Sequence, residues 1–262
     1  MPVQGLIYNY LTTQIRQCNN YPMKALRIKL AFTSALMCYL MASLPSTAIA
    51  QEALRHVKVK ASEQKYIALT FDDGPIENVT ESMLVLLDKY QAKATFFNVG
   101  KKVKSRPHLT LQIVKAGHEI ANHSWSHKNF LELNAIEQHD EIDKFQQQAK
   151  LLGIEPTLFR APFLKVDESI KQTLISKQLT LVSAKNMAKD AAKHVDINAI
   201  VKRLSTGIES GDIILMHERK HTVEALKELL PLWQKQGFEF VTVSQLLSLS
   251  EANKANKINK TQ

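Results

Sequence analysis

Two adjacent acids and a spaced pair of histidines are the residues of this chain with the clearest chemical potential. Asp72-Asp73 ends an apolar run and precedes Gly74-Pro75, and His123 and His127 stand four residues apart. An acid pair in a turn says little alone, because Asp favours turns for local hydrogen-bonding reasons. Two imidazoles four apart suit one face of a helical turn and a single metal ion. Together these residues form a two-histidine, one-carboxylate set that leaves coordination positions open for water and substrate. A metal so held lowers the pKa of its water by several units. A second carboxylate, itself not a ligand, must then take the proton, and an adjacent Asp pair can divide the two tasks. His217 can supply the acid for a departing amine, since its pKa lies near neutrality. Arg160 would keep Asp72 ionised by its positive charge.

Such a set works only if the fold gathers distant segments. From about Lys65 the chain alternates short apolar runs with amphipathic stretches. Residues 66–71, 94–99, 118–121, 157–160, 179–183, 213–216 and 238–243 read as strands. Residues 83–90, 109–116, 135–152, 196–204 and 223–236 read as helices, several with a glycine just past the end. About seven alternations without an internal repeat predict an α/β fold whose parallel sheet is closed, or nearly closed, into a barrel. Only 8 Gly and 8 Pro argue against a sandwich of many short strands. In barrels of this kind chemistry collects at the C-terminal ends of the strands. Asp72 and Asp73 follow the first strand, His123 and His127 the third, Arg160 ends the fourth and His217 the sixth, all on one rim.

Composition is that of an ordinary globular protein, 45% hydrophobic and 23% charged. The formal charge is +9, but Arg16, Lys24, Arg27 and Lys29 meet no acid before Glu52, and without them +5 remains for residues 51–262. That modest lysine excess predicts no nucleic-acid partner. Residues 23–50 read as a secretory signal: Lys24, Arg27 and Lys29 precede an uncharged apolar run over 30–44, and Ala48-Ile49-Ala50 supplies the small residues of a cleavage site. The run is shorter than the roughly 20 residues of a membrane span. The reading is therefore a bacterial protein exported to the periplasm or beyond, without a stable membrane span after cleavage, translated from Met23 and monomeric. Cys18 and Cys38 both fall in the removed segment, so the mature chain has no disulfide and no thiol chemistry. The boundaries expected are an extension and signal over 1–50, a lead-in over 51–64, a catalytic domain over 65–248 and a polar tail over 249–262.

The motifs resemble those of the NodB-homology polysaccharide deacetylases, the family 4 carbohydrate esterases. Thr70-Phe71-Asp72-Asp73-Gly74, His123-Ser124-Trp125-Ser126-His127, Arg160-Ala161-Pro162-Phe163 and Leu215-Met216-His217 look like four of that family's five motifs, in order. The similarity spans roughly Lys65 to Leu247. It implies a distorted (β/α) barrel that removes N-acetyl, or sometimes O-acetyl, groups from an acetylated glycan such as a chitin-type, poly-N-acetylglucosamine or peptidoglycan chain. It assigns Asp72 as base, Asp73, His123 and His127 as ligands of one divalent ion (zinc, with cobalt or nickel as substitutes), His217 as acid and Arg160 as partner of the base. The backbone N–H of Phe163 would face the developing oxyanion, and Leu215 would wall the acetyl pocket. The fifth motif is incomplete: Asp190 stands for the Asp that orients the acid histidine, but Ala191 replaces the usual Trp. Leu164 also replaces a frequent Gly. These departures bear on substrate more than on chemistry. Two other readings follow from the same residues: a non-catalytic glycan-binding relative, and a deacylase of a lipid-linked or small sugar. Trp125 is expected to pack and His118 to order the loop before His123. His56, His108, His139 and His194 need no function, and His221 lies close enough to the rim to reach substrate.

Overall fold

A computed structural model describes residues 53–55, 57 and 64–258. The signal segment, Cys18, Cys38, Met23 and His56 lie outside the described residues. Eight parallel strands form the sheet: β1 (Lys65–Gly74), β2 (Thr95–Asn98), β3 (Glu119–Asn122), β4 (Leu158–Phe159), β5 (Thr180–Leu181), β6 (Asn186–Met187), β7 (Ile213–His217) and β8 (Phe238–Val241). Their order is β5-β4-β3-β2-β1-β7-β6, with β8 paired to β1. Strand β1 organises the sheet. Its stretch Ala68–Asp72 takes β7 along one edge, and the other edge takes β8 over Lys65–Ala68 and then β2 from Thr70 to Gly74. The seven expected strands are all present. The eighth, β6, has two residues and is too short to show a periodicity.

The sheet curls into a distorted half-barrel, and β5 and β6 end the path. At the base of that gap the lead-in segment bridges. Leu54 N–H donates to Leu181 O, Leu54 O accepts from Ser183, and Val57 N–H donates to Gly211 O just before β7. Outside the sheet lie α1 (Val79–Lys89), α2 (Gly100–Ser105), α3 (Pro107–Lys115), α4 (Ala135–Lys150), α5 (Glu168–Ser176), α6 (Ile197–Leu204), α7 (Lys220–Lys235) and α8 (Val243–Ile258). Asn134 caps α4 in a reciprocal box with Glu137, and Gly237 ends the turn after α7 at φ 86°, a conformation that costs glycine little. Helices α2 and α5 were not expected from periodicity. Helix α8 runs into the stretch read as a polar tail, so the first part of 249–262 is helical.

The two-residue period of the strands sorts side chains to two faces. On β1, Ile67, Leu69 and Phe71 face outward, into a core shared with Met83, Leu87, Leu226, Leu230 and Trp233 of α1 and α7. Ala68 faces inward with Phe97, Ala121, Leu158 and Ile213. Trp233 donates its indole N–H to Leu204 O and so ties α7 to the end of α6. Carried to the strand ends, the same inward phase reaches Asp72, His123, Arg160 and His217. The fold thus delivers four polar side chains to one rim by register alone.

Candidate active site

Asp73 breaks that phase. A regular strand would send neighbours Asp72 and Asp73 to opposite faces. Instead Asp73 has φ 70°, and the pairing of β1 with β2 slips between Asp72 and Gly74. This bulge turns both acids toward one cavity of about 400 Å³, lined by Asp72, Asp73, His123, His127, Leu215 and His217 among others. Gly74 is required beside it, because a Cβ there would lie 1.4 Å from Glu218 Oε1. Glu218 is wholly buried, with its carboxyl pushed up to about 7 by that burial. It accepts a hydrogen bond from Thr80, and its N–H donates to Asp72 O.

The acids have different partners. Asp72 Oδ1 accepts from Arg160 Nη1 at 2.6 Å. Arg160 is fully buried, stacks over Phe97 and also donates to Thr70 Oγ1 and Ser183 O. Asp73 Oδ1 faces His127 Nε2 at 3.1 Å and His123 Nε2 at 3.7 Å, and it is buried without a hydrogen bond among the described residues. Burial opposes its ionisation, but the contact with His127 and the charges of His123, His127 and His217 hold its carboxyl well below the usual range.

His123 and His127 are not on a helix. Their segment is an irregular loop with Ser124 at φ 64° and His127 at φ 60°. The loop is held by side chains that bond its own backbone: Ser124 N–H to Asn122 Oδ1, His127 N–H to Ser124 Oγ, and Ser126 N–H and Oγ to Glu141. His123 Nδ1 lies 2.8 Å from Arg160 O, and since a carbonyl only accepts, that nitrogen carries the proton. Nε2 is then the bare atom, aimed at Asp73. Burial pushes His123 downward despite Asp72 and Asp73, which keeps it neutral as a ligand must be. One ligand atom each from Asp73, His123 and His127 lies within 4.8 Å of the others. An orphaned buried carboxylate oxygen beside two imidazoles fits a divalent cation.

Across the cavity, His217 Nδ1 lies 2.7 Å from Asp190 Oδ1, and His217 N–H donates to Asp190 Oδ2. Asp190 is fully buried and also accepts from Thr222 Oγ1, while its carbonyl meets His221 Nε2. His221 therefore braces Asp190 and does not line the cavity. Burial opposes a proton on His217, but the bond to Asp190 and the charges of Asp72, Asp190 and Asp73 raise its pKa. Leu215 and Met187 form the apolar floor, and Ala191 lies exposed at the edge. Phe163 (φ 59°) and Leu164 (φ 57°) are both left-handed, and the Phe163 ring sits against His127 with centroids 4.9 Å apart. A glycine would adopt the Leu164 backbone without strain.

Trp125 packs on Gly100, where a Cβ would meet its ring at 2.5 Å. His118 accepts the Ala94 N–H, and burial pushes its pKa down to about 4. Arg219 was missed in the sequence: its Nη2 lies 2.7 Å from Asp73 Oδ2. Its signal was its position two residues past His217, the same inward phase. Lys102, which donates to Asp73 O at 2.5 Å, carried no signal. A larger groove of about 710 Å³ between α1 and α7 holds none of these groups.

Residues 59–182 match the family model described as polysaccharide deacetylase. The chain is 37% identical over 192 residues to a peptidoglycan-N-acetylglucosamine deacetylase of Bacillus cereus, covering 71% of this chain and 90% of that one. It is 34% identical over 194 residues to the peptidoglycan-N-acetylmuramic acid deacetylase PdaC of Bacillus subtilis, spanning 73% of this chain and 41% of that protein. The solved structure of PdaC superposes with a TM-score of 0.71 at 30% identity, covering 77% of this chain and 99% of the other. A family 4 carbohydrate esterase of Streptomyces lividans, solved with acetate, gives 0.64 at 30% identity over 67% and 91%. The barrel, its bulged acid pair and these likenesses agree, and the chain belongs to the polysaccharide deacetylase family, the family 4 carbohydrate esterases.

Proposed function

We propose that this deacetylase removes N-acetyl groups from peptidoglycan-type N-acetylglucosamine outside the cytoplasm. Asp72 is its base, His217 its acid, and Asp73, His123 and His127 hold one divalent ion, zinc by the nitrogen-rich donor set. The single observation that carries this is the division of the acid pair. Asp72 is committed to Arg160, while Asp73 turns its free oxygen toward two histidines. When bound, the cation would supply Lewis-acid activation of water and of the amide carbonyl. Asp72, held in place by the bond from Arg160 Nη1, takes the proton of the attacking water. His217, kept protonated by Asp190, delivers a proton to the departing amine nitrogen. Leu215 and Met187 receive the acetyl methyl, and the Phe163 peptide N–H supports the oxyanion. The named peptidoglycan deacetylases among the relatives support the substrate, and the 23–50 segment supports export.

The test is acetate release by purified residues 51–262 from peptidoglycan, chito-oligosaccharide and acetyl-xylan. Release from the first should be abolished by chelator and restored by zinc or cobalt. Release from acetyl-xylan alone would overturn the N-acetyl reading. Binding of every glycan without release would make the chain a non-catalytic relative.

A further inference from the structure

We propose that Arg219 is a positioning residue for the metal centre, holding Asp73 Oδ2 out of the coordination sphere so that the carboxylate binds the ion through Oδ1 alone, with a fixed positive charge beside it. The inference rests on the reading of Asp73, His123 and His127 as the metal ligands.

The two oxygens of Asp73 have different surroundings. Oδ1 faces both histidines and lacks a hydrogen bond among the described residues. Oδ2 is paired with Arg219 Nη2 at 2.7 Å. The guanidinium is itself pinned, because Nη1 donates to Glu218 O at 3.1 Å and Nε to Ala191 O at 3.4 Å. Three of its five N–H groups are thus directed, which fixes the plane of the fork. The Arg219 side chain is 24% exposed, so water screens its charge only in part. Lys102 adds a second cation on the Asp73 carbonyl. An unrestrained carboxylate could turn and offer both oxygens; this one has Oδ2 engaged by Arg219. The ion then has one more open position, and less of its charge is neutralised, so it is bound more weakly and is more electrophilic. Ala191, whose carbonyl receives Arg219 Nε, lines the same cavity as Arg219.

Simple packing and charge predict opposite signs. If Arg219 only ordered Asp73, its loss would weaken metal binding. Removing a positive charge close to a dication should tighten binding by about tenfold even at the dielectric of water. Metal-free protein would be titrated with zinc against a chromophoric chelator, and with cobalt to follow the visible absorption band. Arg219→Met is expected to bind zinc about tenfold more tightly, with a weaker cobalt band as the second carboxylate oxygen joins. Arg219→Lys keeps the charge and is expected to stay within about threefold of the parent. Weaker or equal zinc binding by a folded Arg219→Met overturns the proposal. If that variant does not fold, Arg219→Lys decides: parental affinity supports the charge, and a tenfold loss refutes it. A parent that binds no zinc, or an Asp73→Ala variant that binds as well as the parent, would instead remove the metal site itself.

Discussion

Asp72 and Asp190 are both buried carboxylates with a cationic partner, on opposite sides of one cavity, and they are arranged in reverse. At β1 the carboxylate faces the cavity and its cation, Arg160, is wholly buried. Near β7 the carboxylate is wholly buried and its partner, His217, faces the cavity with 16% of its side chain exposed. The member facing the cavity is the one within reach of a substrate, and the hidden member holds it in place. An arginine stands behind the acid at β1, and near β7 an acid stands behind a histidine whose pKa it raises. Two charge pairs of similar composition thereby suit the opposite roles proposed for them.

The comparison breaks most sharply at Asp72. Asp72→Asn should lower kcat by about 10²- to 10⁴-fold, the range of a lost general base, while zinc uptake by the chelator assay stays intact. Equal rates for variant and parent would mean the base lies elsewhere. Next is the hidden cation. Arg160→Ala strands a buried carboxylate and should destabilise the fold by about 3–5 kcal/mol, read as a lower urea midpoint. The smallest expected effect is at the hidden acid. Asp190→Asn should cost about 10- to 100-fold in kcat, taking as its scale the loss of a partner that orients a histidine at a metal site. Its pH profile sharpens the point. Asp190 raises the pKa of His217, and the acid must be protonated to act. The basic limb of kcat should therefore shift to lower pH in the variant. A limb that does not move would show that Asp190 only positions the ring.

Much of this is legible in the sequence. Seven strands, the order of the motifs and the rim carrying Asp72, His123, Arg160 and His217 follow from apolar runs and strand ends, because inward phase is a local property. Helix α5 is harder to read although Asp167 caps it, since only nine residues carry its period. The helical turn expected for His123 and His127 was wrong in form. A spacing of four can be met by a loop with two left-handed residues as well as by a helix, and Ser124, Ser126 and Asn122 stabilise the loop through their own side chains.

By itself the sequence determined the residue types, their order and the family they resemble. Tertiary structure decided how they are used. Nothing in Asp72-Asp73 says that the second acid sits on a bulge, because that depends on pairing with β2 and on Glu218 pressing against Gly74 from 144 residues away along the chain (218 against 74). Nor could the chain order show Arg219 reaching back to Asp73. Side-chain direction at a strand end is set by register with neighbours distant in sequence, and only the folded sheet supplies that register.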